Sequence, residues 1–165
     1  MTYSPRENQD AVLKHLKKEA LLADNLIIAI MANIAVETGY TYDYKTQQKG
    51  QRSDPAYGLF QLDPRGGLYD LYIDYLEYAK SEDSAESQLN MMVDILLRQW
   101  DKGVAHVGHG NVTKVLAAAE KSAEEATRAF CDHVLRPGKP HMDRRLAAIA
   151  SVASPLESVS TGIKV

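Results

Sequence analysis

Cysteine is almost absent from this chain of 165 residues, which contains only Cys131. A single cysteine excludes an intramolecular disulfide and is compatible with synthesis in a reducing compartment. Cys131 falls on an apolar helical face, and no histidine or other base is assigned to it by spacing. The pattern therefore predicts a buried thiol rather than a nucleophile.

Long apolar runs and a leader-like N-terminus are also missing. The apolar run 26–36 includes Asn33 and is shorter than the roughly 20 residues that a membrane-spanning helix needs, so it predicts a buried core helix. Residues 1–6 contain no cationic segment followed by an apolar stretch. We therefore expect neither a membrane span nor a signal peptide.

Excess positive charge is absent as well. The net charge is -3, and no Lys/Arg stripe interleaved with aromatic residues appears, so nucleic acid is excluded as the expected partner. Apolar residues make up 45% of the chain and charged residues 25%, as in ordinary soluble globular proteins. The length suits one domain around one core.

The features that are present are mostly helical signals. Ser4 and Ser122 each begin a capping box, Ser84 opens a further helix, and apolar residues follow all three at helical spacing. A helix over about 26–38 should end where Gly39 suits a left-handed turn. We predict one mainly α domain over residues 1–153 and a polar, flexible tail over 154–165.

Two segments lack this helical period. Residues 40–67 predict a long irregular lobe with a short hairpin, and segments of this kind are commonly functional. Residues 103–111 predict a glycine-rich loop bordering a cleft. This loop carries His106 and His109, but no third and fourth ligand can be placed with them, so we expect no metal and no cofactor.

Glu37 is the residue that carries the most chemical information. It ends an otherwise apolar helical run, where the loss of water and the helix C-terminus both disfavour its charged form. A raised carboxyl pKa would make it a candidate general acid. Asn33, one turn earlier on the same face, could hold either this carboxyl or a buried backbone group.

Glu37 also belongs to a recognisable pattern. Asn33-x-x-x-Glu37-Thr38-Gly39-Tyr40, followed by Tyr57-Gly58-Leu59-Phe60-Gln61, resembles the catalytic core of the lysozyme-like superfamily, and in particular the phage tail lysozyme family. The likeness extends from about Leu26 to Ala150 and includes 88–92, 129–130, 136–137 and 144–148. One position departs from it: Leu135 stands where these proteins often carry glutamate.

The resemblance implies a lysozyme-like fold, with a helical core and a small irregular or β lobe forming a cleft. It further implies a peptidoglycan hydrolase that cleaves the β-1,4 bond between N-acetylmuramic acid and N-acetylglucosamine, with Glu37 as general acid. Most glycosidases use a second carboxylate. Asp54 and Asp43 are the first candidates, ahead of Asp63, although each also fits a turn residue.

Substrate contacts follow from the same likeness. Tyr57, Gly58, Leu59 and Gln61 would line the cleft floor, with Gly58 allowing close approach and Gln61 offering a donor and an acceptor. A buried strand with one polar residue is the structural alternative. Tyr40 would either pack over Glu37 or merely staple the turn.

Other functions stay open. A lytic transglycosylase would use Glu37 alone, whereas a virion or wall-binding protein could keep the fold without activity. A helical adaptor without a cleft is a third alternative. The implied partners are peptidoglycan glycan strands and other phage proteins, either a holin or tail and virion components. The implied location is the host cytoplasm and then the periplasm or wall, or the virion, and length favours a free endolysin.

Overall fold

The computed structural model describes residues 3–47, 55–65 and 67–162, with side chains described up to residue 156. In these ranges the protein is mainly helical, as the sequence predicts. The α-helices are α1 (Pro5–Lys17), α2 (Asp24–Glu37), α3 (Leu68–Ala79), α4 (Ala85–Leu96), α5 (Asp101–Val107), α6 (His109–Lys121), α7 (Ala123–Phe130) and α8 (Met142–Gly162). A π-helical turn, Cys131–Leu135, continues α7.

Serine caps begin three of these helices, as predicted. The side chain of Ser4 accepts a hydrogen bond from the backbone N–H of Glu7, at 3.1 Å, and the Glu7 carboxylate accepts one from the backbone N–H of Ser4. Ser84 and Ser122 accept equivalent bonds at the starts of α4 and α7. Each cap satisfies an N–H group that a helix end leaves without a partner.

Helix α2 forms the centre of the fold. Every residue from Leu26 to Ala35 is buried, because α1, α6, α7 and α8 pack around this helix. A helix that is apolar on all sides is stable only when neighbours cover it on all sides. The prediction of a buried core helix at this place is confirmed. The buried Cys131 also agrees with its sequence prediction.

The described residues between α2 and α3 form almost no regular structure. Within 40–47 and 55–65 we find only two isolated antiparallel bridges, Gln47 with Tyr57 and Tyr57 with Leu62. This agrees with the predicted irregular segment.

The prediction of a glycine-rich loop over residues 103–111 is wrong. Helices α5 and α6 occupy this segment and meet at Gly108, whose φ of 106° breaks the helical path between them. Gly103 lies inside α5 because a Cβ there would come within 2.5 Å of the Trp100 ring. Here glycine permits close packing within a helix.

The last helix extends past residue 153, where the sequence analysis placed the end of the helical domain. Helix α8 continues through Pro155 to Gly162, and Leu156 is buried in the core. No helix in the described part of the chain is long and apolar enough to cross a membrane.

Candidate active site

The last turn of α2 carries Glu37 to the edge of the core. The helix stops there because Gly39 and Tyr40 both adopt left-handed backbone conformations, with φ of 60° and 66°. The backbone N–H of Tyr40 donates to the carbonyl of Ala35 at 2.7 Å and closes the helix end. Glu37 is left with 12% of its side chain exposed.

A buried arginine lies beside this carboxylate. Arg145, with 1% of its side chain exposed, brings Nη2 within 3.5 Å of Oε1 of Glu37. Its Nη1 donates to Oδ1 of Asn33 at 3.0 Å, and its Nε donates to the carbonyl of Pro140 at 2.6 Å. One guanidinium thus connects the end of α2 to the segment that precedes α8.

Asn33 holds both a side chain and backbone groups. Its Oδ1 accepts from Arg145, while its amide nitrogen donates to the carbonyls of Ala29, at 2.8 Å, and Thr127, at 3.3 Å. The sequence left open whether Asn33 holds the Glu37 carboxyl or a buried backbone group. The structure shows that it holds buried backbone carbonyls. Asn33 also helps to orient the arginine that contacts Glu37.

Two opposing effects act on the pKa of Glu37. Burial raises the pKa because the charged carboxylate loses water, whereas the charge of Arg145 and its hydrogen bond lower it. Burial is the larger effect, so the pKa of Glu37 lies above its ordinary value of 4.5. A carboxyl of this kind stays protonated to higher pH than an exposed one and suits general acid catalysis.

Glu37 faces a cleft with a volume of about 1100 Å³. The cleft is bordered by the end of α2, the irregular segment after it, the last turn of α5 and the connection between the π turn and α8. Its polar and charged lining residues are Glu37, Gln61, Asp63, His106, Arg136, Lys139, His141 and Arg144. A site of this size and polarity can hold part of a saccharide chain.

A tight turn over residues 57–62 brings Gln61 to the cleft. Tyr57 and Leu62 exchange backbone hydrogen bonds of 3.0 and 2.8 Å, and Gly58 adopts φ of 86° between them. The amide nitrogen of Gln61 donates to the carbonyls of Thr46, at 2.9 Å, and Gly58, at 2.8 Å. These bonds fix the Gln61 side chain at the cleft wall.

Gln88 of α4 supports this turn from beneath. Its Oε1 accepts from the backbone N–H of Leu59 at 2.8 Å, and its amide nitrogen donates to the carbonyl of Tyr44 and to Asp83, each at 3.0 Å. Because Gln88 is fully buried, these bonds satisfy polar groups that water does not reach.

The residues predicted from sequence are only partly brought together. Glu37 and Gln61 line the same cleft. Leu59 is fully buried, and the hydroxyl of Tyr57 donates to Asp83 at 2.5 Å. Tyr40 is 48% exposed and, like Tyr57, Gly58 and Leu59, is not among the lining residues.

The candidates for a second carboxylate also differ in whether they line the cleft. Asp63, which the sequence ranked third, lines the cleft with Glu37. Asp43 is exposed, accepts from the backbone N–H of Lys45 at 3.0 Å, and does not line the cleft. Asp54 lies outside the described residues. Within the described ranges, no group of three or more His, Cys, Asp and Glu side chains is arranged to hold a metal ion.

Sequence reasoning missed the role of Arg145, although a signal was present. The buried face of α8 includes Arg145, Ala148, Val152 and Leu156, which follow one another at helical spacing. A charged residue on such a stripe requires a buried partner. That requirement pointed to a carboxylate in the core, and Glu37 is the one beside it.

Fold and cleft together describe a mainly helical protein with a partly buried, pKa-raised carboxylic acid at an open polar site. Comparison with protein families identifies which class this is: the family model for phage tail lysozyme matches residues 7–154. The chain belongs to the phage tail lysozyme family. Comparisons with curated proteins and with solved structures gave no match. Membership indicates a lysozyme-like protein that acts on peptidoglycan.

Proposed function

We propose that this protein is a peptidoglycan hydrolase that cleaves the β-1,4 bond between N-acetylmuramic acid and N-acetylglucosamine. Glu37 is its general acid. The single observation that carries the proposal is the environment of Glu37, a largely buried carboxyl at an open cleft whose pKa is raised by burial. Membership of the family supplies the substrate class.

In the reaction, the protonated Glu37 donates its proton to the leaving glycosidic oxygen as the bond breaks. The carboxylate that remains is negatively charged, and only 12% of the Glu37 side chain is exposed to water. Arg145, whose Nη2 lies 3.5 Å from Oε1, stabilises that charge as it develops. Arg145 does not touch the substrate in this scheme and acts as a positioning residue.

A second carboxylate completes the scheme by activating water or by attacking the anomeric carbon. Asp63 is our preferred candidate because it lines the cleft with Glu37. Its Oδ1 accepts from the backbone N–H of Arg65 at 2.8 Å, which orients the carboxylate. Asp54 remains a proposal from sequence, and Asp43 now ranks below both.

Substrate binding is proposed for the turn that carries Gln61. Its amide nitrogen is engaged by two backbone carbonyls, and its Oε1 is buried without a hydrogen-bond partner. A sugar hydroxyl or acetamido N–H would therefore donate to Oε1 only after the Gln61 side chain turns toward the cleft. Tyr57, Gly58 and Leu59 would act by shaping this turn. Tyr40, beside the end of α2, would cover Glu37 from solvent once the glycan is bound.

We further propose a phage origin and a role in wall lysis or penetration. Family membership supports either a virion-associated or another wall-acting protein. A free endolysin would reach the wall through a holin-like pore from the host cytoplasm, and a virion component would be carried with the tail.

Digestion of purified peptidoglycan tests this function. Glu37→Gln keeps the shape of the side chain and removes the acid, so we expect a folded protein that releases no muropeptides. Glu120→Gln, an exposed change on α6, is the matched control and should digest like the wild type. Folding of each protein is checked by circular dichroism and urea unfolding.

Mass spectrometry of the released fragments distinguishes the alternatives. Reducing-end muropeptides made by the wild type alone support the hydrolase, whereas anhydro products support a lytic transglycosylase with the same acid. If Glu37→Gln digests like the wild type, Glu37 is not the acid. No release by the folded wild type would favour a non-catalytic wall-binding protein.

A further inference from the structure

One side of the cleft is strongly basic. The segment that connects the π turn to α8 contributes Arg136 and Lys139, and the first turn of α8 contributes Arg144. All three side chains are exposed and line the same cleft as Glu37. We call these three residues the cationic wall.

The positive charges of the wall have no carboxylate partners in the described part of the chain. Among the described residues, no carboxylate forms an ion pair with any of the three side chains. The cleft carboxylates, Glu37 and Asp63, contact Arg145 and Arg65 instead. Three cations without carboxylate partners on one side of a cleft attract anions even in a chain whose net charge is -3, and they favour an anionic ligand at this wall.

The backbone segment that leads to the wall is anchored near Glu37 at both ends. The backbone N–H of Arg136 donates to the carbonyl of Cys131 at 2.8 Å, and the Arg136 guanidinium donates to the carbonyl of Val107 at 2.8 Å. At the other end, the carbonyl of Pro140 accepts from Arg145, which also contacts Glu37. An anion bound at the wall would therefore be held in register with the acid.

We propose that the cationic wall binds the carboxylates of the peptide stems attached to the muramic acid residues of the glycan. The inference rests on the proposed function and narrows its substrate class to peptide-bearing strands with free carboxylates. The sugar hydroxyl and acetamido groups are neutral and offer such a wall no charge partner. The peptide stems carry carboxylates beside the bond that Glu37 would cleave.

The test uses two forms of one substrate. Peptidoglycan freed of wall phosphate polymers is used either as prepared or after its carboxylates are converted to neutral methylamides with excess methylamine and a carbodiimide. The variant Lys139→Gln/Arg144→Gln removes two charges from the wall. Lys114→Gln/Lys121→Gln removes two exposed charges from α6, outside the cleft lining, and is the matched control for net charge.

On native peptidoglycan, we expect the wall variant to show a kcat/KM about fivefold below that of the control, mainly through KM, as two exposed ion pairs would give. On the capped substrate, the two variants should be equal. Equal kcat/KM values on native peptidoglycan would overturn the inference. So would the same fivefold difference on both substrates, because no substrate carboxylate would then be involved.

Binding separates this inference from the proposed function. Co-sedimentation with both substrates is measured in a Glu37→Gln background, where no cleavage occurs if Glu37 is the acid. The inference is supported if the protein binds native peptidoglycan more tightly than capped peptidoglycan and the wall variant loses this preference. This holds even if the wild type releases no muropeptides. Cleavage by the wild type with no dependence of binding on the wall overturns the inference and leaves the hydrolase standing.

Discussion

Arg145 and Glu37 form an ion pair at the boundary between the core and the cleft, with Nη2 and Oε1 3.5 Å apart. The arginine is almost fully buried, and its other nitrogens are bound to Asn33 and Pro140. Yet burial outweighs the arginine in setting the pKa of Glu37, which lies above 4.5. The ion pair therefore orients Glu37 while the pKa of this carboxyl stays raised.

Arg145→Gln tests the electrostatic part of this relationship. Arg145 lowers the pKa of Glu37, so its removal should raise that pKa further. We expect the alkaline limb of the kcat/KM profile for peptidoglycan digestion to move to higher pH in the variant. An unchanged limb would mean that Glu37 does not control the pH dependence.

The same substitution should lower the free energy of unfolding by about 3 kcal/mol, because it breaks a buried pair and leaves buried acceptors without a donor. Urea unfolding measures this loss. Arg144→Gln, at the exposed neighbouring position, is the control for stability and should change it by no more than about 0.5 kcal/mol. If both variants lost a similar amount of unfolding free energy, the buried contacts of Arg145 would not be stabilising the fold.

The raised pKa of Glu37 also makes stability depend on pH. In the folded protein the group binds its proton more tightly than in the unfolded chain, so stability falls as pH rises from about the ordinary value of 4.5 through the raised pKa. The stability of the wild type should therefore decline relative to Glu37→Gln across this interval. Urea unfolding of both proteins from pH 4 to pH 8, about the accessible range, measures the difference. A constant difference would contradict the raised pKa.

Asp63→Asn tests the second carboxylate. If Asp63 activates water or attacks the anomeric carbon, its loss should reduce muropeptide release by a factor on the order of 100, with folding retained. Asp43→Asn, outside the cleft lining, is the comparison and should act like the wild type. Full activity of Asp63→Asn with anhydro products would instead support a transglycosylase that needs only Glu37.

The sequence predicted the parts of this fold that depend on local chemistry. Ser4, Ser84 and Ser122 were recognised as caps because a cap depends only on residues three positions apart. Helix α2 was recognised from its apolar run. The helices over residues 103–111 were not recognised. Gly103 is needed there for close packing against Trp100, and only the folded structure reveals this reason.

The site was harder to predict than the fold. Glu37 was proposed from its place in a motif, but its contact with Arg145 joins α2 to α8, and local spacing cannot give such a contact. The same limit explains why the sequence could not indicate that Asp63 lines the cleft and Asp43 does not. Both lie in an irregular segment, where no period indicates which side chains point together.

Gly58→Ala tests the turn that carries Gln61. Gly58 has φ of 86°, and a Cβ there would lie 2.5 Å from Oε1 of Gln88, the atom that accepts from the N–H of Leu59. Backbone strain and the disturbed buried hydrogen bond should together lower the free energy of unfolding by about 2–4 kcal/mol. Urea unfolding measures this change, and digestion well below the melting temperature should also slow because Gln61 is displaced.

Gly110→Ala is the matched control for this substitution. Gly110 lies in α6, and a Cβ there would meet nothing within 4 Å. Alanine should therefore leave stability unchanged or raise it by up to about 1 kcal/mol, because it favours the helix. If Gly58→Ala were as stable as this control, the turn would tolerate a side chain, and Gln88 could not be holding Leu59 in the geometry described. Normal stability with slow digestion would instead point to direct contact between Gly58 and the glycan, as the sequence first suggested.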